Sequence, residues 1–461
     1  MATSFTALDL PRLARLWLIA TLIGCNNQAT APASGVIVIC LDTLRADRLG
    51  SNGHPGGLTP NLDRLAAESA RYTNAHAQAN ETILSHTSLF TGRYASELGP
   101  FTDEGLPQGS STVAGRLHAA GWETAAVVAG GHMSRAYGLH AGFDHYDDSL
   151  AWGSLADTGP RALRWLDARD NQAPFFLFIH SYDVHDRYLK PSPFGYSRAQ
   201  VDHPGIGREL GRVPGAVSRV ADGAWVGESV ELVEWARDRP RFDRGAGAAQ
   251  LPDAQSLTPA DVEHLSALYD GSVAWADAAL GLLLGELESR RVLDTAWLVV
   301  LSDHGHELGD KGSFHHRFAL NDDTLRVPLL IRPPGGLDNG IVNSDIVELL
   351  DIAPTLLQIA GAPPDVGARG QPLWTRDGPT TPTPRAHTFA EGRLRMLSAR
   401  NTAGDRLTAA GLSMDHPELV SLLQATPPGG PGLEGTGDPT AIATLHTALV
   451  DWRLMLTEQA Q

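Results

Sequence analysis

The chain has 461 residues, of which 42% are hydrophobic and 19% charged, and a formal net charge of −17. That composition is globular, with room for one large α/β domain and an appendage. The acidic balance argues against a nucleic-acid partner or an anionic membrane surface. Lys190 and Lys311 are the only lysines, so an anion site must be built locally from a metal, His or Arg.

At the N-terminus, Arg12 and Arg15 precede an apolar run, Leu16–Ile23, that closes as L-I-G-C. The run is too short to cross a bilayer and has the layout of a secretion signal. The small residue before Cys25 resembles a bacterial lipobox, which implies cleavage there and a lipid on the Cys25 thiol. Asn26 is compatible with the outer membrane. The expected location is the bacterial cell envelope, lipid-anchored, in the periplasm or at the outer membrane. Cys40 is then the remaining cysteine, so no internal disulfide can form. Residues 1–24 are read as signal and 25–34 as tether.

Gly35–Leu41 (G-V-I-V-I-C-L) is a continuous β-branched apolar run, the pattern of a strand buried on both faces of a parallel sheet. It delivers Asp42 at its carboxyl end, where ligands bind in open α/β sheets. Thr59-Pro60 opens a helix. E-T-I-L-S-H-T-S-L-F-T-G-R (81–93) reads as a short helix with Thr82 in its first turn and Gly92 past its end. A hydroxyl there faces unsatisfied N–H groups and the positive end of the helix dipole, which suits a nucleophile attacking an anionic ester. Ser111–Ala120 is a helix, Glu123–Ala129 a strand, Arg161–Arg169 a helix and Pro174–His180 a strand ending in S-Y-D-V-H-D. Asp183 and His185 sit at that edge, with Asp183 expected to orient His185.

Residues 190–257 are Gly-, Pro- and Arg-rich and read as an insertion over the active-site face, with one helical piece near 228–237. Thr258-Pro259 caps a helix running to about Arg291. Ala296–Leu301 is a strand carrying Ser302-Asp303-His304-Gly305 at its end, with Gly305 permitting a sharp turn. Val327–Ile331 is another strand, and Asp351 with Pro354 starts one more helix, stopped by Gly361. The expected fold is α/β: a mostly parallel central sheet with helices on both faces over 35–362, a Pro-rich linker over 363–386, and a small C-terminal subdomain over 387–461.

Asp42, Thr82, Asp303 and His304 thus fall at one sheet edge. Two carboxylates, an imidazole and a hydroxyl form a hard donor set for one divalent cation, Ca, Mn, Mg or Zn, which would activate Thr82 and neutralise ester oxygens. His185 and His316 are candidates for protonating the leaving oxygen or contacting the ester. His306 and His315 are close in sequence to this set.

The ordered motifs V-I-C-L-D-T-L-R-A-D-R-L-G (38–50), T-P-N-L-D-R-L-A-A-E (59–68), T-I-L-S-H-T-S-L-F-T-G (82–92), F-I-H-S-Y-D-V-H (178–185), L-S-D-H-G-H-E-L-G (301–309) and D-I-A-P-T-L-L-Q-I-A-G (351–361) resemble the sulfatase branch of the alkaline phosphatase superfamily. The resemblance implies a metal-assisted ester-cleaving site. Asp42, Asp303 and His304 match metal ligands, Thr82 the nucleophile position, His185 the substrate-facing His, and His316 the His or Lys that contacts the ester. Departures are specific. Thr82 stands where sulfatases have the Cys or Ser converted to formylglycine, so no formylglycine is expected. Leu84 and His86 replace that motif's Pro and Arg, Thr43 replaces the second Asp of the usual pair, and G-G-H-M around His132 occupies the place of K-W-H. His86, His132 and Lys311 are candidates for holding substrate. The Thr nucleophile is similar to that of the superfamily's phosphodiesterases and phospho-alcohol transferases. The reading is a hydrolase of sulfate or phosphate esters in the envelope, acting on a small-molecule, glycan or lipid ester. A phospho-alcohol transferase and a decayed glycan-binding domain are the alternatives.

Overall fold

The structure, a computed structural model, describes residues 34–99, 105–170, 173–185, 220–221, 224–225, 259–308, 314–316, 319–392, 396–409 and 433–458. The signal, the tether up to residue 33 with Cys25, Lys311 and nearly all of the 190–257 insertion, including its expected helical piece, lie outside the described residues. Within that insertion, Val220–Ala221 pairs antiparallel with Ala224–Trp225. Among the described residues no helix is long and apolar enough to cross a membrane.

In chain order the principal elements are β1 (Gly35–Leu41), α1 (Pro60–Ala67), β2 (Ala70–Tyr72), α2 (Thr82–Thr91), α3 (Val113–Ala119), β3 (Glu123–Val127), β4 (His145–Asp147), α4 (Leu155–Ala168) and β5 (Phe175–Ser181). They continue with α5 (Pro259–Ser289), β6 (Ala296–Leu301), β7 (Leu329–Arg332), β8 (Ile341–Asn343) and α6 (Ile352–Ala360). The last group is β9 (His387–Gly392), β10 (Met396–Asn401), β11 (Arg406–Ala409), β12 (Leu433–Thr436) and α7 (Pro439–Glu458).

Strands β8-β2-β7-β6-β1-β5-β3-β4 form one eight-stranded sheet. β1 lies parallel between β5 and β6, and β7 is the strand that runs against its neighbours. The burial pattern of β1 explains its central place. Val36, Val38 and Cys40 face a core built with α2, α3 and α6, while Ile37, Ile39 and Leu41 face a core built with α1, α4 and α5. Both faces are apolar because both are covered by helices.

Three local departures from the expected elements have physical causes. The strand expected over 327–331 is cut by Pro328, which has no N–H to donate. Arg326–Val327 therefore pairs with Ala75–His76, and Leu329–Arg332 pairs with β6. Helix α4 begins at Leu155 rather than Arg161, because Ser154 and Asp157 form a reciprocal capping box. The stretch expected as a linker, 363–386, is packed: Leu373 and Trp374 are buried in the same core as Val36, and Arg385 pairs with Asp351 and Glu348. Its proline content hid two large apolar anchors.

At the C-terminal end β9-β10-β11-β12 form an antiparallel sheet. Leu397, Ala399 and Leu407 from it pack with Leu445, Leu449 and Trp452 of α7 and with Tyr94 and Leu350.

Candidate active site

The register of the central strands places the site. Cys40 pairs with His180 on one side and with Leu301 on the other, so β1, β5 and β6 end together. The residues that follow, Asp42 and Asp303, emerge at the same carboxyl edge. Thr82 opens α2 at that edge with Glu81 as N-cap, and Gly92 closes the helix in the left-handed region at φ 67°. All ten residues of α2 are buried. Thr82 does not cap its own helix: its Oγ1 donates to Asp42 Oδ2 at 3.3 Å. Ser85 Oγ donates to the Asp303 carbonyl at 2.6 Å and pins the helix to β6.

Asp42, Asp303 and His304 are fully buried, and their ligating atoms lie within 4.8 Å of one another. The His304 Nδ1–H donates to the Gly305 carbonyl at 3.0 Å, which leaves Nε2 with its lone pair. His304 Nε2, Asp303 Oδ2 and Asp42 Oδ1 are each buried without a hydrogen-bond partner. Three orphaned acceptors converging on one point are costly unless a cation meets them. Two carboxylates and one imidazole suit a divalent ion that accepts oxygen ligands. Burial, and the charge of Asp303 beside it, push Asp42 above the usual carboxylate range. Burial works the same way on Asp303, but His304, His86 and His180 together hold its carboxyl below its ordinary value.

Thr43, in the place of a second Asp, contributes no side-chain ligand here. Its Oγ1 donates back to the Asp42 carbonyl at 2.7 Å, and its N–H donates to Asp303 Oδ1 at 3.3 Å. It adopts φ 61°, a strained conformation for a β-branched residue. The hydroxyl of Tyr269, on α5, donates to the Thr43 carbonyl at 2.7 Å and holds this turn. Gly305 is required by close approach, not by an unusual turn: a Cβ there would sit 2.0 Å from the Asp323 carbonyl oxygen.

Beyond His304 the imidazoles form a row. His304 and His316 have ring centroids 4.5 Å apart, and His316 and His185 5.3 Å. The Asn80 carbonyl accepts from His316 Nδ1 at 2.8 Å, leaving His316 Nε2 as the free acceptor face. Burial, reinforced by the neighbouring imidazoles, keeps His316 well below the ordinary histidine range, hence neutral. His315 stacks on His316 at 4.1 Å and His306 lies 5.7 Å from it, so both line the same row. His185 is nearly buried, against Trp152 and Tyr182. His132 also packs on Trp152, edge to face, with ring centroids 5.6 Å apart.

Two expectations are corrected. Asp183 does not orient His185; its carboxylate accepts from the Leu155 N–H at 2.6 Å and from Trp275 Nε1 at 2.8 Å, tying β5 to α4 and α5. His86 does not face a substrate. It is fully buried under α2, edge-on to Phe90 and Phe178, because its position on the helix turns it toward the sheet. Sequence reading also passed over His180, whose Nε2–H donates to Asp42 Oδ2 at 3.3 Å. The signal was present: His180 lies within a buried strand where an apolar residue is the norm.

A family model described as Sulfatase matches residues 34–362. Arylsulfatase A of Bos taurus is 34% identical over 369 residues, covering 75% of this chain and 68% of that protein. N-acetylglucosamine-6-O-sulfatase of Bacteroides thetaiotaomicron is 25% identical over 379 residues, 70% of this chain and 67% of that one. Among solved structures, the phosphonate monoester hydrolase of Agrobacterium radiobacter shares the fold with a TM-score of 0.66 at 18% identity, over 93% of this chain and 96% of that one.

Proposed function

The chain belongs to the sulfatase family, and from that premise we propose that it is a metal-dependent hydrolase of phosphate or sulfate esters that attacks through Thr82. The observation that carries the proposal is the Thr82 hydroxyl at the first turn of α2, 3.3 Å from a carboxylate of a buried cluster whose Asp42 Oδ1, Asp303 Oδ2 and His304 Nε2 are all unmet. Asp42, Asp303 and His304 would hold the cation, with Thr82 completing the set. When bound, the ion supplies charge that neutralises ester oxygens and lowers the pKa of a coordinated hydroxyl.

The chain's own residues do the rest. Asp42 accepts the hydroxyl hydrogen and aims Thr82 Oγ1. The N-terminus of α2, where Thr82 sits, would offer backbone N–H groups and the positive end of the helix dipole to the anionic ester. His316, in the tautomer fixed by Asn80, presents an acceptor rather than a proton. His185, farther out in the imidazole row, is therefore the better candidate for the leaving-group proton. His132, which like His185 packs on Trp152, is a candidate for contacting the alcohol part. A threonine nucleophile, as proposed here, suits phosphorus better than sulfur as substrate element. A phospho-threonine can be hydrolysed by in-line attack of water at phosphorus, whereas a threonine cannot follow the aldehyde-hydrate elimination open to formylglycine. The N-terminal sequence supports placement in the cell envelope through a lipid on Cys25, where glycan or lipid esters are the available substrates.

The test is an assay of the full chain, carrying Cys25→Ser to avoid the lipid, with Ca, Mg, Mn and Zn in turn. Nitrophenyl sulfate, nitrophenyl phosphate, bis-nitrophenyl phosphate and a nitrophenyl phosphonate are offered as substrates. Metal-dependent release of nitrophenol is expected from a phosphorus ester. Thr82→Ala is expected to lower kcat by roughly a factor of a thousand or more while leaving the circular dichroism spectrum unchanged. Undiminished turnover in Thr82→Ala would remove Thr82 from the mechanism. Cleavage of the sulfate alone would overturn the preference for phosphorus.

A further inference from the structure

Beneath the oxygen-rich cluster, on the α2 side of the sheet, lies a second group of ligating side chains. Cys40 and His180 are register partners on β1 and β5, so their side chains leave the same face. His86 comes down on them from α2, its ring 5.3 Å from that of His180. All three residues are fully buried, and their donor atoms lie within 4.8 Å of one another.

The hydrogen bonds fix both imidazole tautomers. The His86 Nδ1–H donates to the Thr82 carbonyl at 2.8 Å, and the His180 Nε2–H donates to Asp42 Oδ2 at 3.3 Å. The opposite nitrogens, His86 Nε2 and His180 Nδ1, therefore carry lone pairs, and both are buried without a hydrogen-bond partner. One nitrogen donating to a carbonyl or carboxylate while the other offers its lone pair is the arrangement that orients a metal-ligating histidine. Here it occurs twice, beside a free buried thiol.

We propose that Cys40, His86 and His180 form a second metal site, for zinc, separate from the Asp42–Asp303–His304 cluster. The donor set decides the ion. One sulfur and two imidazoles suit zinc and disfavour calcium or magnesium, whereas the neighbouring carboxylate-rich set accepts those harder ions. Binding displaces the Cys40 thiol proton to solvent, and the thiolate bonds to the metal. The ion's role is positional. Through His86 it reaches the backbone of Thr82, and through His180 it reaches Asp42, so it would fix the nucleophile's helix against the ligand edge of the sheet.

The experiment uses the full chain in a Cys25→Ala background, which leaves Cys40 as its one cysteine. The metal-free protein is loaded with Co(II) as a spectroscopic stand-in for zinc. A thiolate-to-cobalt charge-transfer band is expected in the near ultraviolet, bleached by added zinc. Asp303→Asn should keep the band while losing the harder ion. Cys40→Ala should lose the band and, after zinc loading and dialysis, carry one zinc fewer per chain. Absence of the band in the folded parent overturns the proposal without reliance on any variant, and so does a zinc content that Cys40→Ala leaves unchanged. Neither readout depends on turnover, so the result stands apart from whether Thr82 is the nucleophile.

Discussion

Asp42 and Asp303 share a fully buried edge, and their electrostatics oppose one another in the metal-free chain. Removing one charge relieves that repulsion but also removes a ligand. Asp303→Asn is therefore expected to gain nothing from added cation. The parent should gain about 2.7 kcal/mol at a free ion concentration of a hundred times Kd. Thermal melts with and without saturating cation measure both quantities, and an equal cation-induced shift in the two proteins would exclude Asp303 as a ligand. At the same scale, the sequence made Asp42, Thr82, Asp303 and His304 legible because each closely follows a buried strand or opens a helix. His180 and His86 were harder to place. Whether a histidine faces a cleft or a core depends on the helix or strand face it occupies, and a single chain does not display that.

At the scale of elements, some helix ends in this chain are set by sequence-local devices and others by distant ones. Gly92 and Gly361 end α2 and α6 in the left-handed region at φ 67° and 69°, and both are evident from sequence. Helix α1 is different. Thr59 occupies its N-cap, but its hydroxyl accepts from Gly50 and donates to Asp63. The orphan N–H groups of Asn61 and Leu62 are met by the Asp277 carboxylate, from α5, at 3.1 and 2.8 Å. Asp277→Ala should thus cost about 2 kcal/mol, as loss of a strong N-cap does. Thr59→Ser, which keeps the hydroxyl, should cost well under half of that. Urea denaturation of both variants checks the ordering, and a cost for Asp277→Ala no larger than that for Thr59→Ser would mean that Asp277 does not cap the helix.

Across the whole molecule, Asp322 links the strand that follows it in sequence to the C-terminal sheet. It pairs with Arg400 of β10 at 2.9 Å and with Arg406 of β11. Burial opposes its ionisation, but the two guanidiniums prevail and lower its pKa from 3.8 to about 2. A carboxylate depressed in the folded state stabilises fully above its unfolded value and loses that contribution as pH falls through the folded one. The window is therefore from 3.8 down to about 2. The side chain is 38% exposed, so solvent screening reduces the contribution to about 1 kcal/mol. Asp322→Asn should lower the urea midpoint at neutral pH and show a shallower loss of stability across that window than the parent. Parallel curves for the two proteins would mean that the pairs contribute nothing measurable.

By itself the sequence determined the α/β class, the buried parallel strands, the short helix carrying Thr82 and the family to which the chain belongs. All of these rest on local periodicity and on motifs in a fixed order, which a linear reading captures. Tertiary structure decided what depends on approach between distant segments. It gave Asp183 to the backbone of Leu155 and to Trp275 instead of His185, drew Leu373 and Trp374 out of an apparent linker into the core, and set Cys40 level with His180. Register, helix face and the partner of each buried polar group are settled only when the elements pack, because each is a property of two segments at once.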